Sequence, residues 1–316
     1  MAKIVVLGDS GLLGQALIQH WGNRPDFEVV GVSTSQSAKT SFWRPLSGTY
    51  EHWMYDVTEK ESSLFKKLSS WSPDLLVNSI GLVNVSECET QRDRANLLNS
   101  EVPSRFAMWA ARNKVRFFHI STDHVFDGRA ERPYIEEDIP RPINAYAQTK
   151  LSGEQSVLDV LPDALVVRTN IVGFKDRPGH PTFAEWLCQA LYNRENITLF
   201  DDYVNSMIHV HDLAVLLDEC FDKSVSGIIH LTTTDALSKY DFGKNLASNV
   251  GADFSNVRKG HMRGSNMRPI RPCFLALDTQ KAEKILGHNL PTSDNAIHKL
   301  SADFMRRYKE KRYVPS

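Results

Sequence analysis

The amino-acid sequence predicts an α/β fold built on a doubly wound parallel sheet, with a smaller, discontinuous α/β region after it. Two observations predict this fold. Short apolar runs alternate with helical segments through the first half of the chain, and a glycine-rich turn at residues 8–14 joins the first run to the first helix. Such alternation requires right-handed crossovers between parallel strands. Ligands of these sheets bind beyond the carboxyl ends of the strands.

The predicted strands of the first half are short apolar runs bounded by polar or turn residues, as expected of strands buried on both faces. In chain order they span residues 4–7, 27–32, 52–55, 75–80, 115–120 and 164–167. Apolar residues at helical spacing predict helices at 12–21, 95–112 and 145–161. Together these elements predict a nucleotide-binding sheet of the Rossmann type.

After residue 168 the pattern changes. A stretch rich in glycine, proline and charge, at 173–181, predicts a loop. The elements predicted beyond it are helices at 183–192, 212–221, 239–249, 279–286 and 295–308 and strands at 197–200 and 227–231. Ser238 is the expected cap of the third of these helices, and the last strand can return to the main sheet.

This order of elements predicts two domains with a cleft between them. We expect a dinucleotide-binding domain at 1–168 plus about 208–235. We expect a smaller substrate-binding domain at about 169–207 plus 236–316.

Composition excludes several classes of function. The 316 residues are 41% hydrophobic and 24% charged, and the formal net charge of −1 gives no field that would attract nucleic acid or an acidic membrane. No apolar run approaches the ~20 residues that span a bilayer, and no signal-peptide pattern precedes the first strand. The cysteines lack metal-ligand spacing: Cys88, Cys188, Cys220 and Cys273. We therefore expect a cytoplasmic protein with reduced cysteines, no metal site, and no nucleic-acid or membrane partner.

The glycine turn is the first candidate binding site. It reads Gly8-Asp9-Ser10-Gly11-Leu12-Leu13-Gly14, between a strand and a helix. Glycines allow a tight turn and close approach of the backbone to a pyrophosphate, which the helix N-terminus attracts. The turn therefore predicts a dinucleotide site formed by Gly8, Ser10, Gly11, Leu12, Leu13 and Gly14.

The end of the second strand favours one cofactor over another. NAD sites usually carry an acidic residue there to hold the ribose hydroxyls, but this chain reads Gly31-Val32-Ser33-Thr34-Ser35. The Ser33 hydroxyl, with Lys39 or Arg44 further on, could accept a 2′-phosphate. The sequence thus favours NADP(H), with NAD(H) as the alternative.

The ends of the third and fourth strands complete the predicted cofactor site. Asp56 and Val57 close the third strand, where an adenine ring would lie, and Ile80 and Gly81 close the fourth. Both ends lie at the edge of the sheet where ligands of this fold bind. These strand ends predict the cofactor site together, since each one alone could be an ordinary exit from a strand into a loop.

The candidate chemical site combines a tyrosine, a lysine and a threonine. Tyr146 and Lys150 are four residues apart on a predicted helix, so they share a face. A free tyrosine titrates near pH ~10, and we expect the nearby ammonium to lower that pKa and make an acid–base group. Thr122 ends the fifth strand, where its hydroxyl can orient a substrate oxygen.

At these residues the chain resembles the extended short-chain dehydrogenase/reductase family, and most of all its dTDP-4-dehydrorhamnose reductase branch. The resemblance covers nearly the whole chain and is most specific between 121 and 154. The segments that carry it are His119-Ile120-Ser121-Thr122-Asp123-His124-Val125-Phe126-Asp127-Gly128, Pro133-Tyr134-Ile135-Glu136-Glu137-Asp138, Asn144-Ala145-Tyr146, Lys150-Leu151-Ser152-Gly153-Glu154, Arg271-Pro272, and Leu277-Asp278 with Lys281.

The resemblance implies a reductase. Hydride would pass from the nicotinamide to the C4 ketone of a nucleotide-linked 4-keto-6-deoxysugar, while Tyr146 protonates the oxygen. It implies a catalytic triad of Thr122, Tyr146 and Lys150. The glycine turn, Ser33, Asp56, Val57, Ile80, Gly81, Ile120, Tyr146 and Lys150 would surround the cofactor. The substrate would contact Thr122, Asp123, His124, Asn170 and Arg271.

The chain departs from the branch at several positions. His124 stands where the branch usually has tyrosine, and Asn170-Ile171 stands where it has Ser-Trp. The acidic residues that some members use in a metal-bridged dimer are missing near the glycine turn, where Gln15 and Ala16 stand. A homodimer is therefore left open. The nucleotide and the sugar are not specified, although Arg263, Arg268 and Arg271 are candidates for a diphosphate clamp.

Two other functions fit the same motifs. One is a nucleotide-sugar epimerase or dehydratase that regenerates its cofactor, although dehydratases tend to carry Asp-Glu where this chain has Asp123-His124. The other is a non-catalytic NADP-binding regulatory subunit resembling the beta subunit of methionine adenosyltransferase. Turnover distinguishes them, because a regulatory subunit would bind NADPH without consuming it.

Overall fold

A computed structural model describes residues 1–34, 48–59, 63–175, 179–265 and 268–309. Its largest sheet has seven strands in the order β11-β6-β5-β4-β1-β2-β3, and all six neighbouring pairs are parallel. The strands are β1 (Ala2–Leu7), β2 (Phe27–Ser33), β3 (Thr49–Met54), β4 (Leu75–Asn78), β5 (Arg116–Ile120), β6 (Leu165–Arg168), β7 (Ile171–Val172), β8 (Ile197–Phe200), β9 (Val204–Asn205), β10 (Ile208–His209), β11 (Gly227–His230), β12 (Leu237–Ser238), β13 (Val257–Gly260) and β14 (Phe274–Leu275). The doubly wound parallel sheet is confirmed.

Helices cover both faces of this sheet. They are α1 (Leu12–Trp21), α2 (Ser63–Trp71), α3 (Val85–Thr90), α4 (Arg92–Asn96), α5 (Val102–Asn113), α6 (Ala145–Val160), α7 (Phe183–Tyr192), α8 (Val210–Asp222), α9 (Lys239–Val250), α10 (Gln280–Leu286) and α11 (Ser293–Lys309). A π-helical turn, Leu97–Glu101, joins α4 to α5, and a short 3₁₀ helix spans Asp123–Val125.

The six strands predicted in the first half all form, and β11 returns to the large sheet beside β6. The fourth strand ends at Asn78, two residues earlier than predicted, because the Ile80 N–H turns to the Asn78 side chain. The helix predicted at 95–112 is three elements in the structure, since the π-helical turn interrupts it. Sequence analysis missed α2 and α3.

Alternating side chains of the strands build a core on each face of the large sheet. Ile4 and Val6 point to one face, where α1 and α8 pack, and Val5 and Leu7 point to the other. Helices α2 and α5 cover that second face. Near-complete burial of both faces explains why the strands are continuous apolar runs.

The later part of the chain has its own small sheets and its own cores. β7 pairs with β10, β8 with β13, and β9 with both β12 and β14. Apolar residues of α7, α9 and α11 form a separate core cluster. We retain the two domains predicted from the sequence, with their boundaries, as a proposal.

A buried ion pair ties α6 to the large sheet. Arg168, at the end of β6, lies 2.7 Å from the Glu154 carboxylate of α6, and both side chains are 2% exposed. Ser121, just after β5, donates a hydrogen bond to the same carboxylate. The pair therefore fixes α6 against the carboxyl ends of β5 and β6. None of the described helices is both long and apolar enough to cross a membrane.

Candidate active site

The glycine turn links β1 to α1 and leaves the helix N-terminus uncapped. Gly8 has a φ of +85°, which favours glycine, and a Cβ at Gly14 would lie 2.1 Å from the Gly8 carbonyl oxygen. Gly11 precedes the helix and supplies no side-chain cap. The first-turn N–H groups and the helix dipole therefore suit an anion such as a pyrophosphate. The turn and the start of α1 contain all six residues predicted there: Gly8, Ser10, Gly11, Leu12, Leu13 and Gly14.

The end of β2 holds a hydroxyl, an imidazole and an unexpected carboxylate. Ser33 Oγ lies 3.1 Å from His52 Nε2 on β3. Asp9 is buried, accepts a hydrogen bond from the Tyr50 hydroxyl at 2.9 Å, and lies 3.5 Å from His52 Nε2. Sequence analysis missed Asp9 because it comes from the glycine turn and not from β2. Two predicted contributors lie outside the described residues: Lys39 and Arg44.

The residues predicted at the ends of β3 and β4 lie beyond the carboxyl ends of these strands. Asp56 accepts hydrogen bonds from the Thr58 hydroxyl and N–H, at 2.7 and 2.9 Å, and these bonds lower the pKa of its carboxyl. Val57 is buried beside it. Gly81 follows β4, and a Cβ at this position would lie 3.9 Å from Lys150 Nζ. The fourth strand end is therefore close to the candidate catalytic lysine.

Lys150 lies on the buried face of α6 and bonds to the backbone of β5. Its Nζ donates to the Ile120 carbonyl oxygen at 2.5 Å. Burial lowers the pKa of this ammonium to about 8, although the nearby Glu154 carboxylate opposes the shift. The predicted residues Ile120 and Lys150 are thus joined directly.

Tyr146 lies one turn before Lys150 on the same helix and is 8% exposed. Burial raises the pKa of its phenol above the ordinary value, while hydrogen bonding with Thr122 opposes that shift. The prediction that the ammonium lowers this pKa is therefore wrong. Burial of the phenol is the largest cause of the shift, and the ammonium of Lys150 is directed to the Ile120 carbonyl.

Thr122 and Asp123 form one hydrogen-bonded unit. Thr122 Oγ1 donates to Asp123 Oδ1 at 3.1 Å and accepts from the His124 N–H at 3.2 Å. The other Asp123 oxygen accepts from Asn170 at 2.7 Å and from Asn205 at 3.3 Å. Asp123 is 1% exposed. Its carboxylate accepts hydrogen bonds from these protein donors, and its contact with the sugar stays a prediction.

His124 lies between two tyrosines. Its ring meets the Tyr146 ring edge to face, with centroids 5.6 Å apart, and its Nε2 lies 3.4 Å from the Tyr203 hydroxyl. Burial lowers the pKa of the imidazole, so it is neutral at pH 7. His124 therefore offers neutral hydrogen-bonding groups and no charge.

A cavity of about 390 Å³ opens beside His124. Three of its lining residues are predicted substrate residues: His124, Asn170 and Arg271. Sequence analysis missed others, including Phe183, Tyr203 and Lys239. Their positions along the sequence gave no signal, because α7, β9 and α9 come together only in the folded chain. The other two candidate clamp residues, Arg263 and Arg268, are exposed and do not line the cavity.

One group of side chains within the described ranges has potential metal ligands within 4.8 Å of one another: Asp201, Asp202 and His261. The Asp202 oxygens already accept backbone N–H groups of Met262 and Arg263. Asp201 lies 2.6 Å from the exposed His261 ring. The Asp202 carboxylate is therefore occupied by backbone donors.

Comparison with known proteins gives a consistent result. The family model of the RmlD substrate binding domain matches residues 2–306. A probable low-salt glycan biosynthesis reductase from Haloferax volcanii is 30% identical over 95% of this chain and 97% of its own length. A dTDP-4-dehydrorhamnose reductase from Mycolicibacterium smegmatis is 33% identical over 89% of this chain and 79% of its own. The solved dTDP-4-dehydrorhamnose reductase of Bacillus anthracis in complex with NADP superposes with a TM-score of 0.80 at 21% identity, over 96% of this chain and all of that one.

Proposed function

The chain belongs to the RmlD substrate binding domain family, and on that premise we propose that it is an NAD(P)H-dependent reductase of a nucleotide-linked 4-keto-6-deoxysugar. One observation carries the proposal. Tyr146 lies buried on α6, where burial raises and Thr122 lowers the pKa of its phenol, and Lys150 lies on the next turn of the same helix. The neighbouring His124 lines a cavity of about 390 Å³, which is large enough for a ligand of this kind.

Tyr146 is the proposed general acid. When bound, the reduced nicotinamide supplies the hydride. Reduction then requires a proton at the ketone oxygen, and the raised pKa keeps the phenol protonated at neutral pH. Lys150, held at the Ile120 carbonyl, is proposed to orient the nicotinamide ribose and to stabilise the phenolate once it forms.

Thr122 is the proposed orienting group for the ketone oxygen. Its hydroxyl hydrogen points to Asp123 Oδ1, so a substrate oxygen must compete with that carboxylate for the hydrogen. Asp123 in turn is held by Asn170 and Asn205. We therefore assign Asp123 a positioning role behind Thr122, and we propose Asn170, His124 and Arg271 as the substrate contacts.

The proposed cofactor is NADP(H), with NAD(H) as the alternative. The glycine turn and the uncapped N-terminus of α1 fit a pyrophosphate. At the end of β2, Ser33 and His52 offer hydrogen-bonding groups, and the Asp9 carboxylate is already engaged by Tyr50. The relative from Bacillus anthracis is a complex with NADP. We also propose a cytoplasmic location and leave the homodimer open.

Turnover tests the proposal. The purified protein is mixed with NADPH, and separately with NADH, and with a panel of dTDP- and UDP-linked 4-keto-6-deoxysugars, while the absorbance of the reduced nicotinamide is followed. We expect loss of absorbance that depends on the sugar and disappears in Tyr146→Phe. Tight NADPH binding without turnover of any ketosugar would contradict the proposal and favour a regulatory role.

A further inference from the structure

Lys239 places a cation on the wall of the cavity that His124 also lines. It is the first residue of α9, and its backbone N–H donates to the Tyr203 carbonyl oxygen. Its Nζ lies 2.9 Å from Met207 Sδ, 4.2 Å from the centroid of the Phe183 ring and 5.4 Å from that of Tyr203. The ammonium is thus surrounded by sulfur and aromatic carbon.

The two rings attract the ammonium through cation–π contacts, but the described part of the chain offers it no oxygen acceptor. A thioether is a weak acceptor, and among the described residues no carboxylate oxygen lies within 4.0 Å of this Nζ. Burial lowers the pKa of the ammonium to about 8, and Asp123 opposes the shift from a distance. A cation in the first turn of a helix is also disfavoured by the helix dipole. Lys239 therefore does not owe its position to stabilisation of α9.

Arg271 brings a second incompletely paired cation to the same cavity. Its Nε is buried and has no hydrogen-bond partner, and the cation lies close enough to Lys239 to lower the pKa of that ammonium. Asp123 is the carboxylate that raises the pKa of both Tyr146 and Lys239. It accepts hydrogen bonds from Thr122, Asn170 and Asn205. The two cations, Lys239 and Arg271, therefore outnumber the nearby Asp123 carboxylate, and this excess of positive charge is complementary to an anionic ligand.

We propose that Lys239, together with Arg271, binds an anionic oxygen group of the substrate, a phosphate or a carboxylate, and so determines which nucleotide sugars the cavity accepts. The proposal rests on the proposed function, because it takes the cavity to be the nucleotide-sugar site. An anion beside Nζ would supply the charged partner that the protein lacks, and the aromatic rings around it would keep water from screening the pair.

Equilibrium binding tests the proposal without turnover. Calorimetric titrations with NADP present measure the affinities of UDP, dTDP, UDP-glucose and UDP-glucuronic acid. The last two differ only in a carboxylate at C6 of the sugar. They are measured for the wild-type protein and for Lys239→Met, with Lys244→Met as the matched control, since Lys244 is an exposed lysine of the same helix.

The set of ligands whose affinity falls in Lys239→Met identifies the anionic group that Lys239 binds. If Lys239 holds the diphosphate, Lys239→Met weakens all four ligands by about tenfold or more, since one charge-assisted contact of ~1.4 kcal/mol is tenfold. If it holds a carboxylate on the sugar, only UDP-glucuronic acid weakens, to the affinity of UDP-glucose. Affinities within twofold of wild type for every ligand would overturn the proposal. So would a wild-type protein that binds none of them at millimolar concentration, whereas consumption of NADPH judges the reductase proposal separately.

Two further measurements exclude a folding artefact. The melting temperature of Lys239→Met should equal or exceed that of wild type, because the variant replaces a poorly paired cation with an apolar side chain. Lys239→Arg keeps the charge and should retain affinity within about threefold. A variant that loses both melting temperature and affinity, with no recovery in Lys239→Arg, would indicate a structural role and contradict the proposal.

Discussion

Two lysines of the candidate site, Lys150 and Lys239, carry the same ammonium group in different surroundings. Lys150 on α6 has an oxygen partner, the Ile120 carbonyl, and a nearby carboxylate in Glu154. Lys239 on α9 has sulfur and aromatic carbon. Burial lowers the pKa of both to about 8. Lys150 thus has an oxygen acceptor within the protein, whereas the contacts of Lys239 are with sulfur and aromatic rings, and it is there that we propose an anion binds.

The difference separates the chemistry from the choice of substrate. We call Thr122, Tyr146 and Lys150 the α6 wall. The large sheet, α6 and the buried Arg168–Glu154 ion pair hold these residues in place. We call Phe183, Met207 and Lys239 the α9 wall. These residues lie in or beside helices and short strands that do not belong to the large sheet, so a single side chain there can change without disturbing that sheet. We therefore expect changes on the α6 wall to affect turnover and stability, and changes on the α9 wall to affect affinity.

The largest effect should come from the proposed acid. Tyr146→Phe removes the proton donor and leaves the ring contact with His124 in place. Turnover of the ketosugar should fall by about 10²–10⁴-fold, while NADPH affinity stays within threefold of wild type. Steady-state rates and fluorescence titration with NADPH measure the two quantities. A variant that keeps a tenth or more of the wild-type rate would remove Tyr146 from the mechanism.

Loss of the buried ion pair should be the largest effect on stability. Glu154→Ala leaves the 2%-exposed Arg168 guanidinium without its carboxylate. The free energy of unfolding should fall by about 3–5 kcal/mol, measured by urea denaturation. Glu137→Ala is the matched control, since Glu137 is an exposed carboxylate 3.8 Å from Lys281, and its effect should stay within about 0.5 kcal/mol. Equal losses in both variants would show that burial of the pair is not what matters.

The sequence predicted the α6 wall better than the α9 wall. Tyr146 and Lys150 share a helix face because they are four residues apart, and this local spacing survives folding unchanged. The glycine turn is similarly local. The surroundings of Lys239 depend on Phe183 and Met207, which are distant in sequence, so no pattern along the chain could reveal them. The wrong prediction, a lowered pKa for Tyr146, failed for a related reason: spacing shows the ammonium but not the depth of burial.

The pH dependence of stability should compare the two lysines directly. For Lys150 the pKa is about 8 in the folded protein and about 10.5 unfolded, so between these values the unfolded state binds more protons. The unfolding free energy of wild type should therefore rise with pH relative to Lys150→Met, by about 1–2 kcal/mol between pH 7 and 9.5. Comparing variant with wild type cancels the opposing contribution of the buried cysteines, whose raised pKa values favour unfolding at high pH.

The same measurement on Lys239→Met should give a similar rise, because burial lowers the pKa of both ammonium groups to about 8. Urea denaturation at several pH values gives all three curves. If the unfolding free energies of wild type and Lys150→Met change with pH in parallel, the fold does not desolvate the Lys150 ammonium.

The smallest effect should come from His124, which lies where the two walls meet. Burial lowers the pKa of its imidazole below the ordinary value, so the neutral ring predominates from pH 7 to 8.5. Replacing it with glutamine, another neutral hydrogen-bonding side chain, should leave the shape of the pH profile of kcat/KM unchanged over that range, with a rate within about tenfold of wild type since only contacts of ~1 kcal/mol are altered. If an inflection near pH 6.5 in the wild-type profile disappears in His124→Gln, the imidazole titrates in the working enzyme. His124 would then supply charge to the substrate site, and the positive potential attributed to Lys239 and Arg271 would have a third, pH-dependent source.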